Sequence, residues 1–311
     1  VLHDLPGGLL SVSGTSSSDV IAVGNDPQDD RGPLVVHYDG QSWTRLETGA
    51  TGDLWWISDR PIGGDFFMTG QGGLILRYRP STGEFEPFET PGSETIFGVW
   101  GEEQGDIVAV GGDLNSFDNS GVIWHFDGTA WTNVDLSAID PAGVPLLFKV
   151  WGRSPTEIYA VGARGAVLLF DGTGWTRLES PTGRTLFGVY GNSQLVVASG
   201  GAQSGVIIEN AAESFTDVTP QATLQMNGSI VTPAGTAYTV GREGAVATRS
   251  PSGWTAVDTG LNLDPILHFH GPWSDPDGGL WAVGGNLDHE PVDLGMLVYY
   301  GPETIGTELQ E

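Results

Sequence analysis

The sequence predicts an all-β chain, a seven-bladed β-propeller of four-stranded antiparallel blades that occupies residues 1–311 as a single domain. Three observations carry that expectation. Forty-eight glycines and 11 tryptophans among 311 residues, with 39% hydrophobic content, describe a buried fold with many tight turns and not a disordered acidic chain. Three short anchors recur along the length of the sequence. Their spacing is constant: Trp43 to Trp55, Phe85 to Phe97, Trp175 to Phe187 and Phe215 to Asn227 each span 12 residues.

The first anchor is an apolar strand, seen as IFGVWG at 96–101, LFKVWG at 147–152 and LFGVYG at 186–191. The second is a strand ending in glycine, as in IAVG, YAVG, YTVG and WAVG, whose glycines are Gly24, Gly70, Gly111, Gly162, Gly200, Gly241 and Gly284. The third is a turn followed by an aromatic residue, as in YDGQSW, FDGTAW and FDGTGW. It gives Trp43, Phe85, Trp131, Trp175, Phe215 and Trp254, with Ile305 in the seventh slot. Asp-Gly after an aromatic residue suits a tight hairpin, because glycine accepts the positive φ the turn requires. Each unit of about 40 residues then holds four short alternating strands, which is one propeller blade.

The innermost strands should line a central channel. In the sequence register His268 matches Ser11, Trp56, Gly98, Lys149, Gly188 and Gly228, a variable column. It alternates with the apolar column Val12, Ile57, Val99, Val150, Val189, Ser229 and Phe269. This reading sends His268, Lys149 and Trp56 to the channel and Trp55, which matches Phe97 and Phe148, to the core. For ring closure, Tyr300-Gly301 followed by Ile305 reproduces the third anchor. Residues 302–311 are therefore expected to form the outer strand of blade 7. The alternative is that residues 1–5 pair there.

The repeats are broken on one face. From the second-strand glycine to the turn after the third strand, short blades span 9 (Gly162 to Asp171) or 10 residues (Gly200 to Asn210). Blades 1, 3 and 7 span 15, 16 and 16, and the connection from Trp131 to Phe148 is also long, at 17 residues. The insertions carry Asp26, Asp29 and Asp30, then Asp113 and Asp118, then Asp288, Glu290 and Asp293. All of these loops fall on the same face of a propeller. Uneven loops on a rigid ring imply one asymmetric site, where repeated pockets would require uniform loops.

The VWG, YAVG and DGxxW repeats resemble the secreted β-propeller repeats of bacteria and are distantly similar to the Asp-box repeats of the sialidase superfamily. The resemblance implies the propeller fold and an extracellular setting. The Asp-box keeps one residue between its Asp and Gly, whereas Asp39-Gly40, Asp127-Gly128 and Asp171-Gly172 are adjacent. No arginine triad with a Tyr-Glu nucleophile can be assigned, so sialidase activity does not follow.

Composition narrows the partners. There are 39 acidic against 12 basic residues, for a net charge of -27, and Lys149 is the only lysine. No basic cluster is present to release counterions from nucleic acid, and no stretch approaches the ~18 apolar residues of a membrane span. With no cysteine there is no disulfide or thiol chemistry, and no Gly-rich phosphate loop or G-x-S-x-G elbow occurs.

Among the histidines, His37 and His125 hold equivalent positions in their repeats and read as structural hydrogen-bonding groups. His268 and His270 in LHFHG, with His289, His3, Asp4, Asp288 and Glu290, offer donors for Zn²⁺, Mn²⁺ or Cu²⁺ if they converge at the seam between blades 7 and 1. The Asp-rich loops offer a calcium site instead. Trp56 is a stacking platform for a sugar or aromatic ligand. Lys149 offers an anion contact, a base or an ion pair with a channel carboxylate, and Arg164 and Arg242 offer carboxylate clamps or salt bridges.

These residues support a monomeric, secreted or cell-surface binding propeller with one divalent-cation-dependent site for a carbohydrate, peptide or small molecule. A metal-assisted lyase or hydrolase acting on a polysaccharide or peptide is the alternative. A scaffold for a basic protein is a third reading. A chain that starts at Val1 suits removal of a leader peptide, consistent with a periplasmic, extracellular or surface location.

Overall fold

The computed structural model describes residues 1–210, 214–289 and 291–310. Seven antiparallel sheets form a ring. Their innermost strands are Leu9–Ser16, Leu54–Ile57, Thr95–Glu103, Leu147–Ser154, Leu186–Gly191, Met226–Val231 and His268–Ser274. Each blade adds three further strands outward, and among the described residues the only helical elements are three-residue 3-10 turns at Gln71–Gly73, Ala163–Gly165 and Arg242–Gly244. No helix of the described residues is long and apolar enough to cross a membrane.

The VWG motif explains how one blade grips the next. Trp100, Trp151 and Trp273 are 2%, 6% and 5% exposed. Each lies against a glycine of the following blade. A Cβ on Gly152 would meet the Trp100 ring at 2.5 Å, one on Gly191 the Trp151 ring at 2.9 Å, and one on Gly14 the Trp273 ring at 3.0 Å. The motif glycine thus clears the place that the preceding blade's indole fills. Blades 3, 4 and 5 share one continuous core that includes Trp100, Val150, Trp151, Val189 and Phe215. Between blades 6 and 7 the described residues give a smaller buried cluster of Val240, Phe269 and Met296, with partly buried residues such as Leu263 and Val298 packed against it.

Ring closure differs from the expected arrangement. The outer strand of blade 7 is Leu2–Leu5, paired antiparallel with Gly295–Tyr300. Leu2 and Leu5 are buried beside Trp281 and Leu297, and this apolar contact outweighs the aromatic-turn register that pointed to 302–311. The C-terminal segment instead crosses to blade 1. There Leu309–Gln310 adds a fifth, parallel strand beside Trp43–Leu46, and Gly306 accepts a hydrogen bond from Trp43 Nε1 at 2.9 Å. Both ends of the chain therefore fasten the same seam.

Candidate functional site

Every innermost strand carries a register irregularity at the same place, between Leu9 and Ser11, Leu54 and Trp56, Ile96 and Gly98, Leu147 and Lys149, Leu186 and Gly188, Met226 and Gly228, and Phe269 and Gly271. A bulge inserts one residue that has no pairing partner and re-aims its side chain. The inserted residues are Leu10, Trp55, Phe97, Phe148, Phe187, Asn227 and His270. All seven line one cavity of about 360 Å³ at the channel mouth. Neighbouring rings meet in sequence: His270 to Trp55 at 6.0 Å, Trp55 to Phe97 at 5.1 Å, Phe97 to Phe148 at 5.3 Å and Phe148 to Phe187 at 5.1 Å between centroids. These are ordinary edge and tilted aromatic contacts. Together they make a collar.

This geometry corrects two expectations. Trp55 lines the cavity and does not belong to a closed core. In blade 7 the column shifts by three, because Pro272-Trp273 takes the place of the VW pair. The residue equivalent to Trp56 and Lys149 is therefore Gly271, and His270, not His268, stands in the collar.

Lys149 and Trp56 meet below the collar, with the Lys149 Nζ 3.3 Å from the centroid of the Trp56 ring. The glycine Gly98 lies between them in the ring of blades and leaves the space. Lys149 Nζ donates to the Phe97 carbonyl at 2.9 Å. Among the described residues it makes no ion pair with a carboxylate, and burial pushes its ammonium well below the usual lysine range. One face of Trp56, expected as a stacking platform, is thereby covered by the Lys149 amine. His270 Nδ1 lies 2.6 Å from the Leu10 carbonyl, which can only accept, so Nδ1 carries the proton. Burial, with the Lys149 charge adding to it, pushes His270 down to about 4.

The rim is polar on one side. His268 is buried, and its Nδ1 accepts the Glu243 N–H at 2.9 Å while Nε2 faces Asp288 Oδ2 at 3.4 Å. Arg242 Nη2 reaches the same Asp288 oxygen at 2.8 Å. Burial lowers His268, with the Asp288 charge opposing. Arg164 makes a matching reach from blade 4 to Asp118 of the blade 3 insertion at 2.6 Å. Both arginines thus tie a short loop to a neighbouring long one. The insertions also supply apolar lips: Leu114 and Phe117 from blade 3, and Leu287 and Val292 from blade 7.

The histidine seam does not form as expected. His3 stands on the outermost strand of blade 7 and His268 on the innermost, three strand spacings of about 4.8 Å apart. His289 is exposed, and its N–H donates to the Asn286 carbonyl. Glu290 lies outside the described residues, as does the side chain of Asp4. Among the described residues no group of three or more His, Asp or Glu side chains is arranged to hold a metal ion. The other insertion aspartates bond protein groups: Asp26 accepts the N–H groups of Gln28 and Gly52, Asp29 pairs with Arg45, Asp113 accepts the Asn115 N–H, and Asp293 accepts from Asn286. His37 and His125 bond equivalent aspartates, Asp19 at 2.7 Å and Asp106 at 2.8 Å.

Toward the other end of the inner strands, Trp273 Nε1 of blade 7 donates to the Asp59 carbonyl of blade 2 at 3.1 Å, and Tyr190 of blade 5 lies near the Asp59 carboxylate. Burial raises both groups, more than Arg60 offsets at Asp59. A second cavity of about 430 Å³ opens between blades 6 and 7. Among the described residues Asp258 is the only charged side chain that lines it.

Sequence reasoning missed the collar, yet a signal was present. In IFGVWG the core residues Ile96 and Val99 are three apart, where an unbroken strand would place them two or four apart. The repeated break in period marks the bulge.

No family model matches the chain, and no curated protein matches it. Solved structures of the same shape are β-propellers. U3-55K superposes with a TM-score of 0.69 at 10% identity, over 96% of this chain and 98% of that one. The extracellular domain of the hybrid two-component system BT3049 from B. thetaiotaomicron gives 0.67 at 9% identity, over 93% of this chain and 39% of that one. YCF48 bound to D1 peptide gives 0.56 at 12% identity, over 92% and 77%. At these identities the likeness shows the fold alone.

Proposed function

We propose that the chain is a binding propeller whose collar cavity takes an apolar or aromatic group presented by a peptide or a small molecule. The observation that carries this reading is the coincidence of seven bulges, which turn one side chain per blade, four of them Trp or Phe, toward one cavity of about 360 Å³. That volume lies within the range of small-ligand pockets, and the mixture of apolar walls with a few convergent polar groups is typical of them. The insertions of blades 1, 3 and 7 overhang it with Asn25, Leu114, Phe117, Leu287 and Val292. A propeller of related shape is described with a bound peptide, which agrees with this use of the fold.

The reading uses no metal. His268 Nε2 is enclosed behind Asp288, and the carboxylate beside it already serves Arg242. The acidic composition and the likeness to secreted bacterial repeats support a place outside the cytoplasm. The test is selection of random peptides on the immobilised protein. Enriched peptides should share one aromatic or long apolar residue and bind Phe148→Ser at least tenfold more weakly, while binding Thr129→Ala, altered on an exposed turn of blade 3 away from the cavity, as they bind the parent. Peptides that bind Phe148→Ser unchanged would overturn the reading.

A further inference from the structure

We infer that Lys149 is the anchor for a carboxylate, so that the collar's ligand joins an apolar or aromatic body to an acid group placed at the cavity floor. This deepens the proposed function and rests on it.

The sequence gives the first reason. Lys149 is the only lysine, and the remaining cationic residues are arginine. At least nine of those arginines stand in ion pairs with Asp or Glu. Lys149 makes none among the described residues, in a chain with 39 acidic side chains. It is 5% exposed and its side chain lines the collar cavity. A buried amine in a cavity, with only a carbonyl and an indole face as partners, leaves hydrogen-bonding capacity for an incoming oxygen.

The second reason concerns why this position is lysine. A guanidinium cannot shed its proton, so an arginine here would hold an unpaired charge in a dry site whenever the ligand is absent. A lysine can stay neutral while the cavity is empty and take a proton when a carboxylate arrives. The other ionisable groups around the cavity do not supply the missing partner. His270 is neutral above about pH 4, Arg242 and Asp288 satisfy each other beside His268, and Asp53 accepts the Asp26 N–H at the rim. Binding of an acid should therefore draw in a proton.

The experiment is calorimetric titration of the whole chain with two acids and their amides: 3-phenylpropionate with 3-phenylpropionamide, and N-acetylphenylalanine with its amide. The second acid mimics a peptide C-terminus. At pH 8, in buffers of different ionisation enthalpy, at least one acid should bind about tenfold tighter than its amide, with net proton uptake. Lys149→Met should abolish both the preference and the uptake, leaving acid and amide with equal affinity. Lys149→Arg tests the titratable amine: it should show no proton uptake. Preference for N-acetylphenylalanine assigns the acid to a peptide end, and preference for 3-phenylpropionate assigns it to a small molecule. Amides that bind as tightly as acids, or an acid preference that survives Lys149→Met, overturn this inference alone. If none of the four compounds binds, the collar reading falls with it.

Discussion

One hexapeptide supplies both the cavity wall and the joint between blades, to opposite effect. In IFGVWG at 96–101, Phe97 is the bulged residue that faces the open cavity, and Trp100, three positions later, is packed on Gly152 of the next blade. The same division holds for Phe148 and Trp151 in blade 4. Aromatic residues of similar size thus line the cavity at one position and hold the blades together at the other. What separates the roles is the bulge: it releases a side chain from the sheet's alternation, whereas the indole beyond it is locked by a neighbouring glycine.

The largest effect should come from the joint between blades. Trp151→Ala removes a nearly buried indole from the shared core and should cost about 3–5 kcal/mol of stability, read from denaturant unfolding. A loss under ~1 kcal/mol would break the comparison. The next effect is a pH dependence at the cavity. The folded chain holds His270 at about 4, below the ordinary 6.5, so between those values the unfolded chain binds more protons. Stability is lost as pH falls through that window, by up to ~3 kcal/mol. The many carboxylates titrate in the same range, so the quantity to measure is the difference between wild type and His270→Phe, which should flatten below pH 6.5. Smaller still is Phe148→Ala, a partly buried collar residue. It should cost about 1–2 kcal/mol of stability but lower affinity for an aromatic probe at least tenfold. Least of all is Arg242→Ala at the rim. It breaks a half-exposed ion pair and should change stability by ~1 kcal/mol or less.

The blades were legible because their signals are local. Asp-Gly turns, strand-ending glycines and alternating apolar residues each act within a few positions, and together they define seven units. The loop lengths likewise marked the face on which the cavity lies. Three features were read wrongly or missed, and each depends on something less local. Ring closure turned on whether Leu2 and Leu5 or Ile305 would fill the outer edge of blade 7, a choice settled by packing on Trp281. The blade 7 register rested on HFHG, where the Trp273 contact with Gly14 of blade 1 fixes it three residues away. Trp55 was assigned to the core because its matches Phe97 and Phe148 are apolar, and apolarity alone does not distinguish a collar from a core. The meeting of Lys149 with Trp56 depends on curvature of the ring, which no spacing in the sequence records.

The most direct measurement is a binding isotherm of N-acetylphenylalaninamide on the wild type, Phe148→Ala and Trp151→Ala, the last at a temperature where it remains folded. Recognition at the collar requires that Phe148→Ala lose at least tenfold in affinity while Trp151→Ala binds as the wild type does. Equal loss in both variants, or wild-type affinity in Phe148→Ala, would contradict it.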